Sequence, residues 1–187
     1  GLMLDKGEGV LMNKEEACRY YKMAADQGLI EAMHNYALIL DEGEGVSMNK
    51  EEAGRYYKMA ADGGHIEAMY NFGVTLSNGE GIPMNKEEAC RYYKMAADQG
   101  QIDAMYNYGS KLSNGEGVSM NKEEAYRYFK MAADKGHVES MSNTGLMLYN
   151  GEGVSMNKEE AYRYFKMAAD KGDMEAMNNY ERILGNA

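Results

Sequence analysis

Carboxylates dominate the chemically capable side chains, and many are adjacent: Glu15-Glu16, Glu51-Glu52 and the equivalent pairs further along. Two carboxylates close together can divide acid and base work between them. Neighbours on a helix, however, point about 100° apart and cannot converge on one substrate, so capping of a helix start is the role their position implies. Glu44, Glu80, Glu116 and Glu152 each sit in a Gly-Glu-Gly turn. That turn is a poor phosphate loop, because a carboxylate stands where backbone amides would have to receive the anion. Calcium would need several of these oxygens within about 2.3 to 2.6 Å of one ion, whereas packed helices space successive turns about 10 Å apart. The expectation is a row of solvated charges.

The other reactive groups are no better placed. His65 and His137 occupy the same position two copies of a repeat apart, and His34 lies on another helical face, so they share no metal. Cys18 and Cys90 stand where other copies have Gly54, Tyr126 and Tyr162, and a catalytic thiol would need a neighbouring base. Ser47, Ser119 and Ser155 fall in turns with no histidine at matching positions. No catalytic residue, metal site or cofactor is expected.

What positions all these groups is a repeat. Met-Asn-Lys-Glu-Glu-Ala starts at Met12, Met48, Met84, Met120 and Met156, and Gly-Glu-Gly at Gly7, Gly43, Gly79, Gly115 and Gly151, each step being 36 residues. Met12, Met23 and Met33 recur in every copy, so most of the 18 Met are one repeat's choices multiplied and not a metal-binding tract. Copies this alike point to recent duplication or to design. Within one unit, Asn49 reads as an N-cap with Glu52 three residues later. The spacing predicts a helix over about 50–62, with Ala53, Tyr56, Tyr57 and Ala60 packed and Glu51, Arg55, Lys58 and Asp62 on a solvated exterior. Gly63-Gly64 ends it through a left-handed glycine. A second helix runs from Ile66 to about Asn78, with Ala68, Met69, Phe72, Gly73 and Leu76 on one face, and Gly79-Glu80-Gly81 turns into the next cap. No strand signal intervenes. Two short helices cannot bury their apolar faces alone and must stack on their neighbours. The expected array is one domain over 1–187, with units at about 1–27 (partial), 28–63, 64–99, 100–135, 136–171 and a capping helix in 172–187.

The pattern Ala68-x-x-Asn71-x-Gly73-x-x-Leu76, Gly79-x-Gly81-Ile82, then Asn85-x-x-x-Ala89-x-x-Tyr92-Tyr93-x-Met95-Ala96-Ala97-x-x-Gly100 resembles the Sel-one-like repeat (SLR), a relative of the tetratricopeptide repeat, over essentially the whole chain. Leu76 replaces a usual aromatic, Tyr92 a common Trp, Asn85 a usual Asp and Met95 a usual Lys. The resemblance implies an all-α fold, a right-handed α/α superhelix or solenoid of about five 36-residue helix-turn-helix repeats. It also implies the adaptor role of such proteins in complex assembly, signalling and quality control. Some bacterial members carry a disulfide in each helix pair, which Cys18 and Cys90 do not reproduce. Leu4-Asp5-Lys6-Gly7 aligns with Leu40-Asp41-Glu42-Gly43, so the chain starts at the tail of a second helix, as a piece of a longer array or an engineered one would. Its last helix, about Met174 to Gly185, carries Glu181 and Arg182, the polarity a solenoid cap needs.

Composition agrees with a folded chain: 44% of the 187 residues are hydrophobic and 27% charged. The 30 Asp and Glu against 20 Lys and Arg leave a net charge of −10, which repels phosphate backbones and anionic headgroups. Neither nucleic acid nor membrane contact by this segment is expected, and no signal peptide or long apolar run is visible. Two cysteines fit a reducing, cytoplasmic setting, while compartment and oligomeric state stay open.

What remains is a groove. The second-helix positions opposite the packed face are 31, 34, 35, 38, 41 and 42 with their copies, and the resemblance places this face on the concave surface. Position 35 is always Asn (Asn35, Asn71, Asn107, Asn143, Asn179), and position 31 is always acidic (Glu31, Glu67, Asp103, Glu139, Glu175). Position 34 varies as His, Tyr, Tyr, Ser, Asn, and positions 38 and 41 vary as well. Either the Asn row holds a bound backbone and the variable residues select its side chains, or each Asn bonds within the solenoid and the variation is drift. The reading adopted is a non-catalytic scaffold that binds a protein or peptide segment here, with Tyr70 and Tyr106 as anchors. Glu67, Asp103 and Glu139, joined by Asp41 and Glu42 and opposed by Lys111 and Arg182, favour a basic segment. The rivals are a ligand-free structural or engineered array and a hydrolase or small-molecule-binding relative.

Overall fold

Asparagine starts every first helix. In the structure, a computed structural model that describes residues 13–185 and only the backbone from 182 onward, the Oδ1 atoms of Asn13, Asn49, Asn85, Asn121 and Asn157 accept the N–H of the Glu three residues later at 3.0 to 3.1 Å. The opening stretch read as a helix tail, and the Arg182 side chain, lie outside the described residues. The ten helices described are α1 (Lys14–Asp26), α2 (Ile30–Glu42), α3 (Lys50–Asp62), α4 (Ile66–Asn78), α5 (Lys86–Asp98), α6 (Ile102–Asn114), α7 (Lys122–Asp134), α8 (Val138–Asn150), α9 (Lys158–Ala169) and α10 (Met174–Gly185). No strand occurs among the described residues. The fold is an all-α array of helix-turn-helix repeats.

The cap departs from the expected box in one respect. The Asn49 N–H is already given to Leu40 O at 2.9 Å, so the Glu52 carboxylate accepts from the Asn49 side-chain amide at 3.0 Å instead. One asparagine thereby starts its own helix and ties it to the preceding one. Four of the second helices use another cap, the side chains of His65, Gln101, His137 and Asp173 accepting the N–H three residues on, while α2 starts at Leu29 with no side-chain cap. His65 and His137 are therefore helix starts, whereas His34 lies within α2.

Packing divides the chain into two compact units, Gly1–Met95 and Ala96–Ala187. In the first, Ala17, Ala53, Ala60, Ala68 and Ala89 are at most 1% exposed and let helices approach closely around Tyr57, Tyr92 and Tyr93. Tyr56 reaches out of this core to donate to Asp26 at 2.9 Å, and Tyr92 donates to Asp62 at 2.6 Å, each across 30 residues. Lys22 and Lys58 hold the same carboxylates from one turn before. The second unit repeats the device with Tyr128 on Asp98 and Tyr164 on Asp134, around Phe129, Phe165, Met141 and Leu148. The face taken for plain solvated exterior therefore contributes the bond that joins successive repeats.

The Gly-Glu-Gly turns are corrected in the same way. Glu44 pairs with Lys14 at 2.8 Å, Glu80 with Lys50 at 3.0 Å and, in the second unit, Glu152 with Lys122 at 3.0 Å. These three carboxylates clamp their turns to the first helix of the repeat before, where a sequence pattern sees only unpartnered acids. Gly81 follows because of distance: a Cβ there would sit 2.3 Å from the Lys50 carbonyl carbon. Gly64 also has a left-handed φ, yet meets nothing within 4 Å. Gly64, with φ of +96° against +71° at Gly81, is the less tolerant of a side chain on backbone grounds, so a larger loss at Gly81 isolates the close approach. Gly81→Ala is expected to cost at least about 2 kcal/mol more than Gly64→Ala in urea unfolding; equal losses would remove the docking role of the turn.

Candidate functional site

In the second unit the face opposite the packed one forms a cavity of about 300 Å³. Tyr106, Ser110, Ser113 and Asn114 of α6 line one side, Asn143, Leu146, Met147 and Asn150 of α8 the other, with Phe129 of α7 beneath and Glu152 at the end. The helical spacing puts these residues together: three and four positions apart, they share one stripe on each second helix. Tyr106 lies half-buried between the rings of Phe129, 5.9 Å away, and His137, 4.8 Å away. Its hydroxyl and the half-buried amide of Asn143 have no side-chain hydrogen bond within the described residues, and neither does the amide of Asn107.

The asparagine row is not uniform. In the first unit Asn71 Nδ2 lies 3.2 Å from His34 Nε2, an amide donating to the ring. His34 replaces the tyrosine of the next copies, stacks on His65 with ring centroids 4.2 Å apart, and is only 8% exposed. Burial, reinforced by the neighbouring His65, pushes its pKa down to about 4. Asn71 is thus engaged by its own unit, while Asn107 and Asn143 present their amides. Tyr70 is half-buried against Tyr93, 6.1 Å away, whose own hydroxyl is pushed up to about 12 by burial.

Acidic residues of position 31 edge these faces. Glu31 stands 3.1 Å from His65 Nε2 and Asp103 stands 3.6 Å from His137 Nε2, and Glu67, Glu139 and Glu175 are exposed. Of the expected additions to that row, Asp41 shares Lys50, at 2.8 Å, with Glu80, and the opposing Lys111 is paired with Glu116 at 3.1 Å. Both cysteines are buried thiols outside any disulfide, and burial together with Glu52 raises the Cys18 thiol. Among the described residues no three His, Cys, Asp or Glu side chains are grouped to hold a metal ion. The arrangement provides hydrogen-bonding amides, a tyrosine, an apolar floor and carboxylates at the edge.

An all-α array of 36-residue helix pairs with such a face defines a class of repeat scaffold, and the chain belongs to the Sel1 repeat family: the family's pattern matches residues 1–29, 30–65, 66–101, 102–137 and 138–173. Sel1 repeat proteins are generally non-catalytic interaction scaffolds that bind other proteins. Among solved structures, the chain is similar to c5321, a protective antigen of uropathogenic Escherichia coli with an SLR fold, at 28% identity and a TM-score of 0.95, covering 99% of this chain and 40% of that one. It is also similar to a Sel1 repeat protein from Oxalobacter formigenes, at 31% identity and a TM-score of 0.84, covering 96% of this chain and 71% of that one. Helicobacter pylori cysteine rich protein B shares the fold at 22% identity and a TM-score of 0.56, over 73% of this chain and 98% of that one. No curated protein matches the sequence. The chain spans two fifths of the length of the antigen.

His34 supplies a test of the first unit's wiring. Its folded pKa of about 4 lies below the ordinary 6.5, so the unfolded chain binds the extra proton first and stability falls as pH drops from about 6.5 to about 4. The loss is at most about 3 kcal/mol and levels off below the folded value. His34→Tyr installs the pair that Tyr106 and His137 already make. The variant is expected to lose correspondingly less stability than the parent between pH 7 and 4; parallel curves would show that His34 is not held neutral.

Proposed function

We propose that the protein is a non-catalytic scaffold whose second-helix face binds an extended polypeptide segment. The observation that carries this is the cavity under Tyr106, where the asparagine amide and the tyrosine hydroxyl are both left for a ligand. An amide donates and accepts at once, which suits it to a peptide backbone. Asn107 and Asn143 hold that backbone, and Tyr106 anchors a side chain through its large contact area and polar tip. In the first unit, Tyr70 occupies the anchor position, with Glu67 beside it. Asn71, occupied by His34, contributes less. Asn35 and Asn179 stand at the same position in their own repeats.

The rim selects a basic segment. Glu67 in the first unit, and Asp103 and Glu139 in the second, are exposed carboxylates, and Lys111 is held by Glu116. The family's protein-binding character supports the class of partner; the charge argument belongs to this chain.

A Lys- and Arg-containing peptide library titrated at low and at physiological salt tests both parts. Binding is expected to weaken as the Debye length shrinks to about 8 Å. Tyr106→Ala should cost on the order of 2 kcal/mol. Asn143→Ala should cost about 0.5 to 1.5 kcal/mol of affinity with little change in melting temperature. Preference for acidic peptides, or indifference to salt and to Tyr106→Ala together, would overturn the reading.

A further inference from the structure

Where copies of a repeat are nearly identical, the places where one copy departs from the rest mark what it does alone. Four departures meet at one point of the first unit. Gly54 stands where other copies have Cys18, Cys90, Tyr126 and Tyr162; Thr75 where they have Ile39, Lys111 and Met147; Ile82 and Pro83 where they read Val46-Ser47, Val118-Ser119 and Val154-Ser155. These positions are far apart in sequence, yet a Cβ on Gly54 would lie 3.3 Å from Ile82 Cγ2 and 3.4 Å from Thr75 Cγ2. Ile82 and Thr75 thus already crowd the place of the absent side chain, and beside them a notch of about 370 Å³ opens between α3, the turn that follows α4 and the start of α5.

The notch is apolar within and cationic at its edge. Phe72, Leu76, Ile82 and Pro83 line it, and Arg55 and Lys58 stand at the rim. Lys58 is tied to Asp62, and Glu88, also at the rim, accepts from Asn85 and pairs with Arg91. Arg55 is different. Arg91, Arg127 and Arg163 each pair with a glutamate of their own helix. The glutamate three residues before Arg55 is Glu52, which instead accepts from Tyr36 and from the Asn49 amide. Among the described residues Arg55 has no partner. A cation without a counter-ion beside an apolar notch of side-chain size is complementary to an apolar side chain with a carboxylate next to it.

We propose that the notch at Gly54 is a second binding site, which takes an apolar side chain of a partner polypeptide while the adjacent carboxylate of that partner pairs with Arg55. The site uses α3, α4 and the following turn, so it stands or falls apart from the groove under Tyr106. Its ligand class is opposite in charge to the basic segment favoured there, and the scaffold would then join two different segments.

The test is a titration of the whole chain, labelled at the Ile, Leu and Met methyl groups, with an eight-residue peptide pool that has a fixed Leu-Asp pair in a degenerate background. A matching pool with Leu-Asn is the control. Saturable shifts of the Ile82, Leu76 and Met84 methyls are expected, with the Asn pool at least fivefold weaker. Arg55→Gln, a surface change, should abolish that preference. Gly54→Cys, which installs the residue that Cys18 and Cys90 bury at this position, should displace Ile82 and Thr75 at the notch wall and weaken binding of the Asp pool at least fivefold in the folded protein. Should that variant fail to fold, Arg55→Gln decides alone. Absence of saturable shifts, equal binding of both pools, a preference unaffected by Arg55→Gln, or a folded Gly54→Cys protein that binds as the parent does would each overturn the proposal. So would a concentration-dependent dimer abolished by Gly54→Cys, which would give the notch to a second copy of the chain.

Discussion

A pair of short helices has no interior of its own, and everything else in this molecule answers to that constraint. The apolar faces of α3 and α4 are buried only because neighbouring repeats cover them, and the helices come close enough because alanine stands at the points of contact. Alanine and burial are not directional, however, and would allow a repeat to slide. Direction comes from two bonds that span 30 residues: tyrosine to the last aspartate of the preceding first helix, and lysine to the glutamate of the following turn. Screened by solvent, each contributes only modestly by itself. Their effect lies in repetition, since within each unit the same pairing recurs in the same register.

Much of this was legible in the residues. The 36-residue spacing, Asn49 three positions before Glu52, and the glycines after each helix specify element type and order without any contact being known. Local signals of this kind act within a few residues, which is why pattern reading reaches them. The bonds between repeats were not legible, because Tyr92 and Asp62 become neighbours only once the stacking is known. The same limit explains Glu80, an apparently solvated acid that is held by Lys50. His65 and His137 looked like reactive groups and proved to be helix caps, an unusual use of imidazole that a cap preference for Asn, Asp, Ser or Thr does not anticipate.

The groove was half legible. Helical spacing brings Tyr106, Ser110, Asn143 and Leu146 to one surface, and these residues line one cavity. It cannot tell that Asn71 spends its amide on His34 while Asn143 does not, because that depends on which residue stands at position 34 of the copy before. Identical residues in a repeat therefore need not do identical work. Rows that a sequence presents as uniform are divided by their neighbours into structural and available members. The notch at Gly54 makes the complementary point. Its four unusual residues were visible as departures, but nothing short of the packed structure shows that they converge.

The central claim is that available asparagine amides on the second-helix face hold a bound backbone. It is tested most directly by following the side-chain NH₂ resonances of Asn107, Asn143 and Asn71 while a basic peptide is added. The account predicts that the Asn107 and Asn143 resonances move and become protected from exchange with water, saturating together with binding, while Asn71 changes least. Binding that leaves the Asn107 and Asn143 amides unperturbed, or that shifts Asn71 most, would contradict it.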